Sequence, residues 1–217
     1  MQKKAILLIN GEIDLQFCEQ YIDKCLSNLP IYCVDGAFNQ IKDTKIAVNV
    51  RMIIGDGDST HSAQFPDVPY QQYDDQYSTD FDKSLRTLYK MGYRLLFLFG
   101  FGGKEMDHYL GNLSTLCKYQ NQFQFMVIDS YGVSQLIYQK MRLGDVKGKM
   151  VSIVPLFELV DLTLHGFAFN LDEWTLKFGK DLGIRNYAFK DEVFIDYKTG
   201  NGLVFLSHKP YHRFSVE

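Results

Sequence analysis

The stretch YRLLFLFGFGGKEMDHYLGN, residues 93–112, joins an unbroken apolar run to a glycine-rich loop and then to a helical pattern. Residues 93–100 place apolar side chains on both faces, which is typical of a central strand in a covered parallel sheet. Helical spacing follows over residues 104–119, with an apolar stripe made by Met106, Leu110, Leu113 and Cys117. A buried strand that passes through a short loop into a helix is the repeating unit of an α/β fold.

The same alternation of strands and helices runs through the first 130 residues. Helical periodicity covers residues 14–28 and 79–92. Apolar runs predict further strands at residues 4–10, 30–37, 51–56 and 123–130. Strands that alternate with helices indicate a parallel sheet with helices on both faces. We therefore predict an α/β N-terminal domain of this kind over residues 1–134.

Near residue 135 the pattern changes to short strands separated by turns. These strand candidates lie at residues 149–157, 162–171, 192–207 and 213–216. Residues 198–202, KTGNG, predict a hairpin, because Gly and Asn tolerate positive φ. No helical pattern of comparable strength occurs here, so we predict a smaller all-β C-terminal domain over residues 135–217.

Composition and charge narrow the class of partner. The formal net charge of −3 lacks the broad basic footprint expected of a nucleic-acid-binding protein. No apolar run approaches the roughly 20 residues that a membrane-spanning helix needs. The four cysteines form neither a C-x-x-C pair nor a zinc pattern, which favours free thiols in a reducing cytoplasm. We expect small-molecule partners, no nucleic acid or membrane, and a cytoplasmic location.

Asp56 and Asp58 follow the predicted strand at residues 51–56, in the sequence GDGDS. Ligands of open α/β sheets collect at the carboxyl ends of the strands, and residues two apart in an extended chain point to the same side. Both carboxylates can therefore face one ion, and hard oxygen ligands suit Mg²⁺. The alternative is a tight turn with solvated aspartates, because Asp-Gly is common in turns.

Asp80 and Lys83 lie one turn apart on the polar face of the predicted helix at residues 79–92. Ser78 or Thr79 can cap this helix. Asp80 can act as a third metal carboxylate, with Lys83 as a partner of a phosphate or a carboxylate. The alternative is a surface ion pair, which stabilises a helix by only about a few tenths of a kcal/mol.

The loop GFGGK contains Gly100, Gly102, Gly103 and Lys104 and lies between a predicted strand and a predicted helix. Backbone N–H groups at the start of a helix favour phosphate. The loop is not a Walker loop, because G-x-x-x-x-G-K-[ST] is absent. Polar side chains follow in the first turns of the helix, at Asp107, His108 and Asn112.

Together these segments resemble the thiamine pyrophosphokinase family. The family's A-D-G-[GA] turn is matched by VDGAFNQI, residues 34–41, and its I-I-G-D-x-D-S by IIGDGDS, residues 53–59. Its Q-x-x-T-D-x-x-K-[AS]-L is matched by QYSTDFDKSL, residues 76–85, and its glycine-rich loop with a D-H-x-x-x-N helix by GFGGKEMDHYLGN. Later in the chain, GFAFNL and IRNY resemble the family's G-L-x-W-x-L strand and S-N segment.

The resemblance implies Mg²⁺-dependent transfer of pyrophosphate from ATP to the hydroxyl of thiamine, giving thiamine diphosphate and AMP. It also implies a homodimer with an α/β nucleotide domain and a β-sandwich thiamine domain, and with thiamine bound between subunits. The resemblance assigns metal binding to Asp56, Asp58 and Asp80, and it assigns catalysis to these three residues and Lys83. Binding of ATP and its phosphates falls to Asp35, Ser59, Gly100, Gly102, Gly103, Lys104, Asp107, His108 and Asn112. Thiamine contacts fall to Gln76, Phe169 and Asn186.

The chain departs from the family pattern at four positions. Gly57 replaces an aromatic residue, Glu105 takes the place of an arginine, Phe169 that of a tryptophan, and Arg185 that of a serine. Two other functions are therefore kept as alternatives. One is a protein that binds thiamine or its phosphates with weakened catalysis, and the other is a metal-dependent phosphohydrolase.

Overall fold

The computed structural model describes residues 2–58 and 68–211. Contacts within the chain divide it into two compact units, Met1–Ser130 and Tyr131–Glu217. Within the described residues, no helix is both long and apolar enough to cross a membrane. The functional division into residues 1–134 and 135–217 stays a prediction.

The N-terminal unit is built on parallel strands. In the described residues these are β1 (Lys3–Leu8), β2 (Ile31–Val34), β3 (Val50–Gly55), β4 (Tyr70–Gln72), β5 (Tyr93–Phe99) and β6 (Gln124–Ile128). Their order across the sheet is β4-β3-β2-β1-β5-β6, and every neighbouring pair is parallel. The central strand β1 is apolar at residues 5–8, which are completely buried. This burial explains why β1 and β5 read as continuous apolar runs in the sequence.

The helices described in this unit are α1 (Leu15–Tyr21), which continues into a π-helical turn (Ile22–Leu26), α2 (Ala37–Ile41), a 3₁₀ turn (Ala47–Asn49), α3 (Asp80–Lys90) and α4 (Met106–Lys118). Two of them, α1 and α3, begin at residues whose side chains cap them. The side chain of Asp14 accepts a hydrogen bond from the N–H of Phe17 at the start of α1. Thr79, one of the two predicted caps, accepts one from the N–H of Asp82 at the start of α3.

The apolar stripe predicted for α4 is wrong in its first half. Met106 is 69% exposed and Leu110 is 56% exposed. Helix α4 instead buries Thr115 and Leu116, which belong to its second half. The first turns of α4 line a cleft instead of packing into the core, so hydrophobic spacing alone misplaced the buried face.

The C-terminal unit contains only strands among its described residues. They are β7 (Gly132–Leu136), β8 (Met141–Leu143), β9 (Lys149–His165), β10 (Leu171–Lys177), β11 (Gly183–Tyr187), β12 (Val193–Asp196) and β13 (Thr199–Pro210). The long strand β9 pairs antiparallel with β10, β11, β12 and β13. Buried apolar side chains from β9, such as Ile153, Leu159 and Leu164, run through the core of this unit.

The hairpin predicted at residues 198–202 is wrong. Strand β12 pairs with β8 and β9, whereas β13 pairs with β7 and β9, so β12 and β13 are not partners. Gly200 serves a different purpose, because a Cβ there would lie 2.0 Å from the carbonyl oxygen of Glu158. Its φ of 110° accommodates the register shift between Gly200 and Asn201.

Other strand predictions were right in type but not in extent. Strand β9 is a single strand that contains residues 149–157 and part of 162–171, which the sequence presented as two. Strand β10 was not predicted, because residues 171–177 are mostly polar and exposed. The strand predicted at residues 213–216 lies outside the described residues. At the coarse level the prediction is confirmed, since the chain combines helices with parallel and antiparallel strands.

Candidate active site

Three carboxylates converge at the carboxyl ends of neighbouring strands in the N-terminal unit. Asp35 follows β2, Asp56 follows β3, and Asp80 is the first residue of α3. One oxygen from each lies within 4.8 Å of the others, which is close enough to share one metal ion. Asp35 is only 2% exposed. We call Asp35, Asp56 and Asp80 the acidic cluster.

The ammonium of Lys83 neutralises part of the acidic cluster. Its Nζ donates to Asp56 Oδ2 at 3.0 Å and to Asp80 Oδ1 at 2.9 Å. The side chain of Lys83 is 1% exposed, so the alternative of a surface ion pair is wrong. A buried ammonium requires partners of opposite charge that also accept its hydrogen bonds, and these two carboxylates supply them.

Although both bond to Lys83, Asp56 and Asp80 have pKa values that shift in opposite directions. Burial favours a higher pKa for Asp56, but hydrogen bonds from Lys83 and the Asp58 N–H outweigh it and lower that pKa. Burial dominates at Asp80 and raises its pKa despite the hydrogen bond from Lys83. Burial opposes the charge on Lys83, yet its bonds to Asp80 and Asp56 raise the pKa of the ammonium. Asp80 is therefore the member of the Asp56–Asp80 pair that more readily holds a proton.

Asp35 joins two turns that the sequence presented separately. Its Oδ1 accepts from the N–H of Gly36 at 2.9 Å, and its Oδ2 accepts from the N–H of Gly57 at 3.1 Å. Gly55 permits this approach, because a Cβ there would lie 2.2 Å from the Cβ of Asp35. Sequence reasoning missed the role of Gly55, although its place directly before Asp56 was a usable signal.

Asp58 is not grouped with the acidic cluster. It is exposed, and its N–H lies 3.4 Å from Asp56 Oδ1. The expectation that both aspartates point to one side assumed an extended chain, but Gly57 has a φ of 87° and turns the backbone. The metal role of Asp58 stays a prediction, and Ser59 lies outside the described residues.

Tyr70, on β4, is a neighbour of this site that sequence reasoning missed. Burial first, and then the negative charge of Asp35, raise the pKa of its hydroxyl. A Cβ at Gly57 would lie 3.5 Å from the Tyr70 hydroxyl oxygen. The Tyr70 ring therefore lies on the side toward which a residue at position 57 would point. No pattern in the sequence separated Tyr70 from other aromatic residues near a strand.

The glycine-rich loop is fixed by contacts with residues 9–12. The carbonyl oxygens of Gly100 and Gly102 each accept a 2.7 Å hydrogen bond, from the N–H of Gly11 and of Glu12 respectively. A Cβ at Gly100, where φ is 69°, would lie 2.2 Å from the Ile9 carbonyl oxygen. Side chains larger than hydrogen cannot be accepted at such a distance.

Helix α4 holds the same loop from the other side. The Asn112 amide donates to the carbonyl oxygen of Phe101 at 3.0 Å. Lys104 Nζ donates to Asn10 Oδ1 at 3.0 Å, so this cation is tied to the neighbouring turn. Glu105 faces His108, with 3.6 Å between its carboxylate and the imidazole Nε2. Asp107 accepts from the N–H of His108 at 2.9 Å. Gly103, with a φ of 91°, completes the loop.

These elements surround a cleft of about 310 Å³, which is within the range of small-molecule sites. The predicted residues that line it are Asp35, Asp58, Asp80, Gly102, Lys104, Asp107, His108 and Asn112. A larger cavity of about 800 Å³ lies at the amino ends of β2 and β3, beside Tyr32 and Tyr93. Its lining includes none of the predicted site residues. Of these two cavities in the described residues, the smaller one brings carboxylates, a cation and a glycine-rich loop together, so it is the candidate site.

The residues predicted to contact thiamine are divided between the two units. Gln76 is exposed and precedes α3. Phe169 belongs to the C-terminal unit and is 68% exposed. Asn186, on β11, is 7% exposed, and its side-chain amide bonds to the backbone of Phe169.

Two models of one family match this chain. Residues 22–128 match the model of the thiamin pyrophosphokinase catalytic domain. Residues 136–202 match the model of the thiamin pyrophosphokinase vitamin B1 binding domain. A search of curated proteins finds no match.

Solved structures share the fold along nearly the whole chain. A thiamine pyrophosphokinase from Bacillus subtilis gives a TM-score of 0.76 at 21% identity, over 94% of this chain and 99% of that chain. Thiamin pyrophosphokinase from Candida albicans gives 0.80 at 12% identity, over 95% and 89% respectively. The yeast thiamin pyrophosphokinase gives 0.77 at 16% identity, over 95% and 86%.

The fold and the matched domains define a kinase, a transferase whose substrates are a nucleotide and thiamine. The chain belongs to the thiamin pyrophosphokinase family, and its activity is that of a thiamine diphosphokinase. The family and the activity predicted from the sequence motifs are thus confirmed.

Proposed function

We propose that the cleft of the N-terminal unit binds ATP with Mg²⁺, and that this chain catalyses pyrophosphoryl transfer there. The single observation that carries the proposal is the convergence of Asp35, Asp56 and Asp80 within 4.8 Å, around the buried ammonium of Lys83. Carboxylates this close repel one another, so cations or bound protons must compensate their charge. Lys83 supplies one such cation.

The donor set fits a hard divalent cation. Mg²⁺ prefers carboxylate oxygens, keeps several waters and is shared with substrate phosphates. Asp56 and Asp80 are the proposed ligands, with Asp35 added by the geometry and Asp58 retained from the sequence motif. When bound, the metal neutralises negative charge on the phosphate oxygens.

The protein's own residues orient the reacting groups. Phosphoryl-type transfer asks an enzyme mainly for positioning and for stabilisation of charge. Lys83 is proposed to contact a phosphate from within the cluster, and Lys104 from the loop. Asn112 keeps the loop in place through Phe101. The thiamine hydroxyl oxygen attacks the β-phosphorus, the bond from that phosphorus to the bridging oxygen of AMP breaks, and the hydroxyl proton passes to a carboxylate.

Further parts of the proposal come from the family resemblance. We propose that the C-terminal unit is a β-sandwich, that helices cover both faces of the N-terminal sheet, and that residues 1–134 and 135–217 are the nucleotide and thiamine domains. Gln76 and Phe169 are proposed to contact thiamine, in a homodimer whose thiamine site lies between subunits. Ser59, Gly100, Gly103, Asp107 and His108 are proposed to bind ATP. The cytoplasmic location stays a prediction.

The test is AMP formation by purified protein from ATP, with thiamine and Mg²⁺ each omitted in turn. The Asp56→Asn and Asp80→Asn variants should fold and lose most of kcat. Asp43→Asn is the matched control, because Asp43 is exposed and is not among the residues that line the cleft in the described structure. Full kcat in either cluster variant would refute the metal assignment.

The same assay distinguishes the two alternative functions. Release of inorganic phosphate without thiamine would favour the hydrolase, and thermal stabilisation by thiamine without AMP formation would favour the binding protein.

A further inference from the structure

We propose that Asn186 is a positioning residue, which presents the ring of Phe169 to thiamine without itself touching the ligand. This inference rests on the proposed function, because it concerns the thiamine site of the C-terminal unit. It assigns to Asn186 a role different from the direct contact that the family motif suggested.

Both the oxygen and the nitrogen of the Asn186 side-chain amide form hydrogen bonds with the backbone of Phe169. Its Oδ1 accepts from the N–H of Phe169 at 3.1 Å, and its Nδ2 donates to the carbonyl oxygen of Phe169 at 2.8 Å. The same Oδ1 also accepts from the N–H of Tyr187 at 2.9 Å. With Asn186 only 7% exposed, these bonds use most of its hydrogen-bonding capacity out of reach of solvent.

A β-bulge directs Asn186 toward Phe169. The pairing of β11 with β9 shifts register between Gly183 and Asn186. Arg185 lies within this shift with a φ of 58°, and its N–H donates to the buried Ser152 hydroxyl at 2.9 Å. Bulges of this kind re-aim the side chains beside them. The backbone at Arg185 therefore accounts for the inward direction of Asn186.

The backbone of the turn that carries Phe169 is held at several points, whereas the Phe169 ring is exposed. Phe167 is buried, and its N–H donates to the Asn170 side chain at 3.1 Å. The N–H of Ala168 donates to the carbonyl oxygen of Tyr187 at 3.0 Å. The Phe169 ring remains 68% exposed on this fixed backbone. An aromatic ring carried on a backbone that is already ordered needs less further ordering when a flat ligand stacks on it.

Three variants test the inference: Asn186→Ala, Phe169→Ala and the double variant, with Asn201→Ala as an exposed-asparagine control. Thiamine Kd by calorimetry, KM for thiamine and kcat are measured for each. We call the hydrogen bonds between the Asn186 side chain and the Phe169 backbone the clamp. Loss of the clamp should raise the Kd and KM for thiamine roughly threefold to tenfold, with kcat and the KM for ATP little changed. Because Asn186 acts through Phe169, the double variant should bind thiamine no more weakly than Phe169→Ala.

Additive losses in the double variant would overturn the inference, because they would show that Asn186 has its own contact with thiamine. Amide hydrogen exchange supplies a readout that needs no substrate: the Phe169 N–H should exchange faster in Asn186→Ala than in the wild type. Unchanged exchange would also overturn it. Asn186→Asp keeps the acceptor and loses the donor, so it tests the clamp if the alanine variant is unstable. A wild-type protein that binds no thiamine would instead refute the proposed function, and the inference with it.

Discussion

The ammonium of Lys83 lies 3.0 Å from the carboxylate of Asp56, although Lys83 belongs to α3 and Asp56 follows β3. The same ammonium bonds to Asp80, one turn earlier on its own helix. This arrangement joins the sheet edge to the start of α3 through charges and fixes the acidic cluster before substrate arrives. Preorganised charge of this kind is the main means by which an enzyme stabilises phosphoryl transfer.

Replacing Lys83 by methionine should lower kcat roughly 100-fold to 1,000-fold, because the charge that we propose to contact the phosphates is lost. It should also lower the free energy of unfolding by about 3–5 kcal/mol, since Asp56 and Asp80 would be left without their buried partner. Steady-state kinetics and urea unfolding measure the two effects. Lys90→Met is the matched control, because Lys90 is exposed at the end of the same helix. Equal losses in both variants would contradict the assigned role of Lys83.

Replacing Gly55 by alanine should disturb the acidic cluster without removing a charge. The added Cβ would lie 2.2 Å from the Cβ of Asp35 and 3.2 Å from the Cγ of Asp80. Relieving this overlap should cost about 1–3 kcal/mol of stability and weaken metal binding. Thermal unfolding and the Mg²⁺ dependence of kcat measure both. Gly144→Ala serves as the control, because a Cβ there meets no atom of the described residues within 4 Å.

The distances between the carboxylates predict that Asp35 contributes more to metal binding than Asp58 does. Asp35→Asn should raise the apparent Kd for Mg²⁺ more than Asp58→Asn does, because Asp35 lies within 4.8 Å of Asp56 and Asp80. Titrating the nucleotide-free protein with Mg²⁺ or Mn²⁺ in a calorimeter compares the two variants directly. A larger effect at Asp58 would contradict this ranking.

Asp75 should make stability depend on pH at low pH. Hydrogen bonds from Ser78, from the N–H of Tyr77 and from Arg86 lower the pKa of Asp75 from 3.8 to about 2. Because the folded pKa is the lower one, this contribution is present above about pH 4 and is lost as the pH falls toward 2. The difference in stability between the wild type and Asp75→Asn should therefore shrink over that range. A difference that is constant with pH would contradict the pKa shift.

The parts of the site that could be predicted from the sequence were those encoded locally. Apolar runs gave the strands that end at Asp35 and Asp56, and helical spacing with a capping threonine gave α3. The positions of side chains that depend on an unusual backbone turn could not be predicted. Gly57 has a φ of 87°, and nothing in GDGDS distinguishes the turn that it makes from an extended chain.

Tertiary context also overrode two local patterns. The apolar spacing of α4 predicted burial of Met106 and Leu110, yet the helix begins at the cleft and exposes both. The glycines of KTGNG suggested a hairpin, yet Gly200 permits close approach of β9. The hydrogen bonds between the Asn186 side chain and the Phe169 backbone likewise depend on a bulge that only the fold reveals, and the thiamine contact indicated by the motif stays a prediction.

The most direct test of the central claim follows all phosphorus-containing products by ³¹P NMR, in a reaction of the purified protein with ATP, thiamine and Mg²⁺. Attack at the β-phosphorus predicts thiamine diphosphate and AMP in equal amounts, with neither formed when thiamine is omitted. Formation of ADP with thiamine monophosphate, or of inorganic phosphate without thiamine, would contradict the account.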